Sequence, residues 1–201
     1  MVDLLIFSKD RAFQLHTALE TIQKHIKGVN NIFVQFSYSN AILVNEIETD
    51  NIAFEVDDSF YYKDIDISKC AKILNNTENV GRYHYGGDYK LFGEHNFQKI
   101  NKDHVIVDRT LTYEPEIINI CLTYAFNVSS TIHIKNDVID LLNSVPVRHP
   151  IELEQRGSES NIFRKYNYTI LHRTEVFKQI HLNNFLKRYE EVADAELLNS
   201  Y

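Results

Sequence analysis

The sequence predicts a single α/β domain, and three observations carry that expectation. A short apolar run opens the chain, a helically spaced stretch follows it, and two further apolar runs each end in a cluster of polar residues. Val2 to Phe7 is apolar but for Asp3 and partly β-branched, the pattern of a buried strand, and it gives way to Ser8, Lys9, Asp10 and Arg11. Phe13, Leu15, Leu19, Ile22 and Ile26 then recur at mostly helical spacing up to Gly28, a helix stop. Residues 32–36 form a second strand closed by Ser37, Tyr38, Ser39 and Asn40, and residues 52–56 a third that ends at Asp57 and Asp58. Parallel strands joined by crossovers bring their carboxyl ends to one edge, and open α/β sheets bind ligands at that edge.

Further along, residues 66–74 read as a short helix with Asp66 or Ser68 near its cap. Residues 80–89, rich in Gly and Tyr, suit a loop or an edge strand. Residues 116–124 fit helix and strand alike, 130–134 read as a strand, and 136–143 as a helix with Asp137 in its first turn. Pro150 leads into a polar stretch, 152–161, and 175–198 reads as a helix with its charges on one face. The chain then stops without a terminating signal, which suggests a domain cut from a longer protein.

With 201 residues, 44% hydrophobic and 24% charged, the chain is expected to bury one core and fold on its own. A formal charge of −7 argues against nucleic acid as a partner, because that affinity comes largely from clustered Lys and Arg. Cys70 and Cys121 lie far apart with no partner motif, so neither a disulfide framework nor a zinc site is expected, and a reduced, cytoplasmic setting fits. Asp3 interrupts the first apolar run, which therefore lacks the core of a signal peptide, and no stretch approaches the roughly 20 apolar residues of a membrane span.

The acid pair Asp57 and Asp58 is the most informative feature. Adjacent carboxylates repel and are costly to desolvate, so a fold keeps them where a cation or water compensates. Mg²⁺ and Mn²⁺ take such oxygen ligands, commonly one or two carboxylates together with substrate phosphates. The bland alternative is a solvated turn after a strand. Lys9, Asp10 and Arg11 add two cations and a carboxylate where the first strand ends, suited to clamping phosphate oxygens or reading a base edge. Ser39 and Asn40 are placed to reach a base or ribose, or are simply turn formers.

Together these elements resemble the GT-A glycosyltransferases, the nucleotide-diphospho-sugar transferases, and especially viral and bacterial polysaccharide enzymes with an FSKDR-like start. IAFEVDDSFY looks like the family's metal strand, VGRYHYGG like the segment after it, NVSSTIHIKNDVIDLL like its acceptor-side strand and helix, and HPIELE like its Pro-containing turn leading to a glutamate. The resemblance implies a Rossmann-like domain with a central mixed sheet flanked by helices, a nucleotide-sugar donor (UDP-sugar by default) and a glycan or other hydroxyl acceptor. It implies nucleotide contacts at Lys9, Asp10, Arg11, Asn40 and Asp57, Mn²⁺ or Mg²⁺ on Asp58 first and Asp57 second, and Glu154 as general base, with Glu152 its competitor. The usual D-x-D is absent: Ser59 stands where a further Asp would follow, and Glu55 makes only E-x-D. Arg82, His84 and Tyr85 would line a sugar or acceptor cleft, and His149 and His172 would approach the metal or diphosphate. Two rival readings use the same residues, a nucleotide-binding module without transfer activity and a metal-dependent phosphodiesterase.

Overall fold

The computed structural model describes residues 1–8, 11–35, 46–86, 97–99, 102–110, 124–144, 147 and 149–179. Strand β1 (Val2–Phe7) lies between two parallel partners, β3 (Val29–Gln35) and β4 (Asn51–Val56). Helix α1 (Ala12–His25) provides the first crossover, ending three residues before Gly28, which adopts a left-handed φ of 83°. Between helix and glycine, β2 (Ile26–Lys27) pairs with β6 (Ile65–Asp66). The turn at Asp57 and Asp58 leads from β4 into β5 (Ser59–Tyr61), which pairs antiparallel with β12 (Phe177–Gln179).

The remaining elements are α2 (Ile67–Asn75), β7 (Val80–His84), β8 (Phe97–Lys99), β9 (His104–Asp108), β10 (Thr131–Ile134), α3 (Lys135–Ser144), α4 (Pro150–Glu159), α5 (Asn161–Arg164) and β11 (Tyr168–His172). Eight strands form one sheet in the order β3-β1-β4-β10-β7-β11-β9-β8. Strand β10 runs antiparallel to both neighbours, β7 and β11 are parallel, and β9 is antiparallel to β11, so the sheet is mixed. The architecture is α/β and compatible with a Rossmann-like fold.

The period of two along each strand explains the layering. On β1, Leu4 and Ile6 join a core that includes Leu15 and Ile22 of α1 and Ala71 and Leu74 of α2. Leu5 and Phe7, with Phe54 of β4, face the opposite way onto Val138 of α3, Leu153 of α4 and Phe163 of α5. Both faces of β1 and β4 are covered, which is why their central residues, Leu4–Phe7 and Ile52–Phe54, read as apolar runs and not as alternating ones.

Asp3, the acid within the first run, is fully buried. Its carboxylate accepts the backbone N–H groups of Asn31, Glu48 and Thr49 and the side-chain amide of Asn30. Burial alone would raise its pKa, but these bonds, led by Thr49, outweigh it and leave the carboxyl below its ordinary value. Asp66 caps α2 by accepting from the N–H groups of Ser68 and Lys69, as the sequence suggested.

Several local expectations are corrected. Residues 80–84 form an interior strand, β7, between β10 and β11, not a loop or an edge strand; Val80, Arg82 and Tyr83 are buried by neighbours on both sides. The polar stretch after Pro150 is helix α4: Pro150 occupies its first position, where a missing N–H costs nothing, and the His149 ring nitrogen accepts the Glu152 N–H as the cap. Residues 177–179 are strand, not helix, because they pair with β5. The rest of that expected helix, most of 116–124, and Cys121 lie outside the described residues. Cys70 is buried and free, and burial pushes its thiol up to about 12.

His133 on β10 is fully buried among Phe54, Phe126 and Phe163, and its Nε2–H donates to the Asn127 carbonyl at 2.9 Å. Burial lowers its pKa to about 3. An unfolded histidine takes up its proton near pH 6.5, so between about 6.5 and 3 the unfolded chain binds more protons at this residue and stability falls as pH falls. The expected contribution is about 1.4 kcal/mol per pH unit well below the unfolded pKa. Urea unfolding from pH 7 to pH 4.5 is expected to give a shallower pH slope for His133→Phe than for the wild type, and equal slopes would refute the assignment.

Candidate functional site

The carboxyl ends of the first three parallel strands meet as the sequence predicts. The Ser8 N–H bonds the Gln35 carbonyl at the end of β3, and the Asp57 N–H bonds the Phe7 carbonyl at the end of β1. The turn carrying Asp57 and Asp58 is thereby held beside the loop between β1 and α1. Arg11, at the N-cap of α1, reaches across to it: one guanidinium nitrogen lies 2.6 Å from Asp57 Oδ1, and the other 3.8 Å from Asp58 Oδ2.

Both acids are buried, Asp57 completely and Asp58 to 5% exposure, whereas the Arg11 side chain keeps 24% of its surface in solvent. Burial pushes the Asp57 carboxyl above the usual range; Ser8 and Arg11 pull it back and the neighbouring Asp58 pushes it further up. The Ser8 hydroxyl and Arg11 are near enough to favour the charged form, yet neither Asp57 oxygen meets a donor in hydrogen-bond geometry. Arg11 Nη1 is likewise buried without an acceptor. One turn along α1, Gln14 is fully buried and neither atom of its amide has a hydrogen-bond partner. A buried polar group costs about 1–3 kcal/mol when left unsatisfied, and several such groups lie together at this edge.

Two adjacent carboxylates are oxygen donors of the kind a hard divalent cation takes. Among the described residues no group of three or more His, Cys, Asp and Glu side chains could hold a metal. Asp57 and Asp58 would therefore supply two ligands and leave the remaining positions to water and substrate phosphates, the usual arrangement for Mg²⁺. Glu55, the acid of E-x-D, does not join them. It points into the core on the α1 side, where Tyr61 and Tyr85 donate to its Oε1, and burial raises its pKa against those bonds. Ser59 is buried at the start of β5.

Glu154 lies elsewhere, on α4. It accepts the Val128 N–H at 3.0 Å, and burial raises its pKa against that bond and the charge of Arg82. It lines a cavity of about 540 Å³ with Tyr124, Gln155, Arg109 and Arg164, among others, and neither Arg11, Asp57 nor Asp58 borders that cavity. Glu152, its competitor, is half-buried and faces Arg156 at 3.8 Å. Lys9, Asp10 and Asn40 lie outside the described residues.

Other expected residues have structural places. Arg82 is buried and donates to Thr169 Oγ1, and Tyr85 is buried against Glu55, so neither lines an open cleft. His84 is held by the Ser130 carbonyl, with burial lowering its pKa to about 4. His149 caps α4, and His172 ends β11 with its ring nitrogen against Thr174. Asp137 ties α3 to the segment after α5 through Lys165 and Tyr166, each at 2.7 Å. Gln14 escaped sequence reasoning although a signal was present: it is a polar residue three positions after Arg11, on the face of α1 that also carries Ala18 and Ile22.

The fold and site define an α/β protein with a mixed central sheet and an acid pair at the carboxyl edge of its parallel strands. None of its described helices is long and apolar enough to cross a membrane. Comparison with protein-family models and with curated proteins returned no match.

Proposed function

We propose that the protein is a metal-assisted glycosyltransferase that uses a nucleotide-sugar donor. The observation that carries this reading is the buried Asp57 and Asp58 pair, with Arg11 beside it, at the carboxyl edge of the parallel strands of a mixed α/β sheet, the edge at which open α/β sheets bind ligands. The resemblance of FSKDR and IAFEVDDSFY, which contain these same residues, to GT-A enzymes supports it.

In this reading Asp57 and Asp58 hold Mn²⁺ or Mg²⁺, and Lys9, Asp10, Arg11 and Asn40 hold the nucleotide, UDP by default. The cation supplies charge neutralisation for the diphosphate as it leaves. The acceptor hydroxyl oxygen bonds to the anomeric carbon, the bond from that carbon to the diphosphate oxygen breaks with its electron pair, and the hydroxyl proton passes to water, because Glu154 lines a cavity that Asp57 and Asp58 do not border.

Thermal unfolding with a panel of nucleotide sugars, with and without Mn²⁺, tests the donor half. At a ligand concentration about 100 times its Kd, binding to the folded state alone adds about 2.7 kcal/mol. One donor is expected to raise the Tm only when Mn²⁺ is present. No shift with any donor would sink the reading, and a shift independent of metal would favour a nucleotide-binding module without transfer activity.

A further inference from the structure

We propose that Arg11 is an internal counter-ion which the divalent cation must displace, so that metal loading and release of the Arg11 guanidinium are one event. This rests on the reading of Asp57 and Asp58 as the metal pair. Arg11 already occupies the position a cation would take, 2.6 Å from Asp57 Oδ1 and 3.8 Å from Asp58 Oδ2. A metal bound to the same oxygen sits about 2.0–2.1 Å from it, which leaves no room for the guanidinium and sets like charges against each other.

Asp57 is wholly buried, so its charged form is compensated by a cation beside it, Arg11 in the unliganded protein and the metal in its place. Arg11 is free to leave in a way Asp57 is not. Its backbone is anchored, since its carbonyl accepts the Leu15 N–H, but its side chain keeps 24% of its surface in solvent and makes no capping bond to the helix. Once displaced, the guanidinium remains tethered at the amino end of the 14-residue helix α1, where backbone N–H groups also favour anions. Its new partner is the donor diphosphate, which a planar guanidinium clamps well. Arg11 therefore links the two ligands: metal alone must break the ion pair without recompense, whereas metal and diphosphate together restore a partner to every charge. Binding of the two is positively coupled through this side chain.

The test measures free Mn²⁺ by electron paramagnetic resonance during titration of the wild type and Arg11→Gln, each with and without UDP. Without UDP, Arg11→Gln is expected to bind Mn²⁺ at least about fivefold more tightly than the wild type, the factor that matches an ion pair of about 1 kcal/mol. The gain in Mn²⁺ affinity that UDP confers on the wild type is expected to shrink in the variant. If the wild type takes up Mn²⁺ but Arg11→Gln binds it no better, the displacement is wrong and the metal pair stands. If neither protein takes up Mn²⁺ with or without UDP, the metal pair itself is wrong. Because Arg11→Gln leaves Asp57 without its counter-ion and risks misfolding, the wild type provides a second measurement: modification of Arg11 by an arginine-specific dicarbonyl, followed by peptide mass spectrometry. Mn²⁺ is expected to accelerate it, and an unchanged or slower rate overturns the proposal.

Discussion

Asp58→Ala is expected to weaken Mn²⁺-dependent binding of a nucleotide sugar by about two orders of magnitude or more, as read by calorimetry. Even outer groups that only orient ligands are worth about 10–100-fold in metal affinity, and a site with two protein carboxylates loses half of its negative charge when one is removed. Asp58 stands at 3.8 Å from Arg11, the longer of the two contacts. The same substitution is expected to leave the unliganded protein folded, because it removes a neighbour that pushes the Asp57 carboxyl up. Asp58→Asn, which keeps the shape and one oxygen ligand, should fall between the two. Metal-dependent binding of wild-type strength in Asp58→Ala would remove this residue from the site.

Phe126→Ala should cost the most stability. Phe126 is fully buried, stacks on His133 at 4.3 Å between centroids, and meets Phe163 edge-on at 4.7 Å and Phe54 at 5.7 Å. Its ring also fills the notch above Gly157 of α4, where an added Cβ would come within 2.5 Å of it. Truncation leaves a cavity between the sheet and α4 and is expected to destabilise the fold by about 3–5 kcal/mol. For a domain of this size each kcal/mol moves the Tm by about 2–4 °C, so a fall on the order of 10 °C is anticipated. A loss below about 1 kcal/mol in urea unfolding would mean the surrounding aromatic cluster closes over the gap.

The first sixty residues were the legible part. Val2–Phe7 and Asn51–Val56 are strands buried on both faces, so apolar content alone marks them, and the polar residues that stop them mark the sheet edge. Val80–His84 was misread because Gly81, Arg82 and His84 look like turn or surface residues in isolation. Arg82 is held inside in part by Thr169, 87 positions away, which accepts from it. The helix after Pro150 was hidden in the same way: its polar face outnumbers the two buried residues, Leu153 and Gly157, that hold it.

The site divides along the same line. Residue order alone determined that two acids follow a buried strand and that a basic cluster follows another, since hydrophobic period and strand length are local properties. Only the tertiary structure decided that Arg11 sits on Asp57 and Asp58, that Glu55 turns away to Tyr61 and Tyr85, and that Glu154 belongs to a different cavity. Those are relations between side chains distant in sequence or on opposite faces of one strand. They are set by strand register and by which charges can find partners once water is excluded.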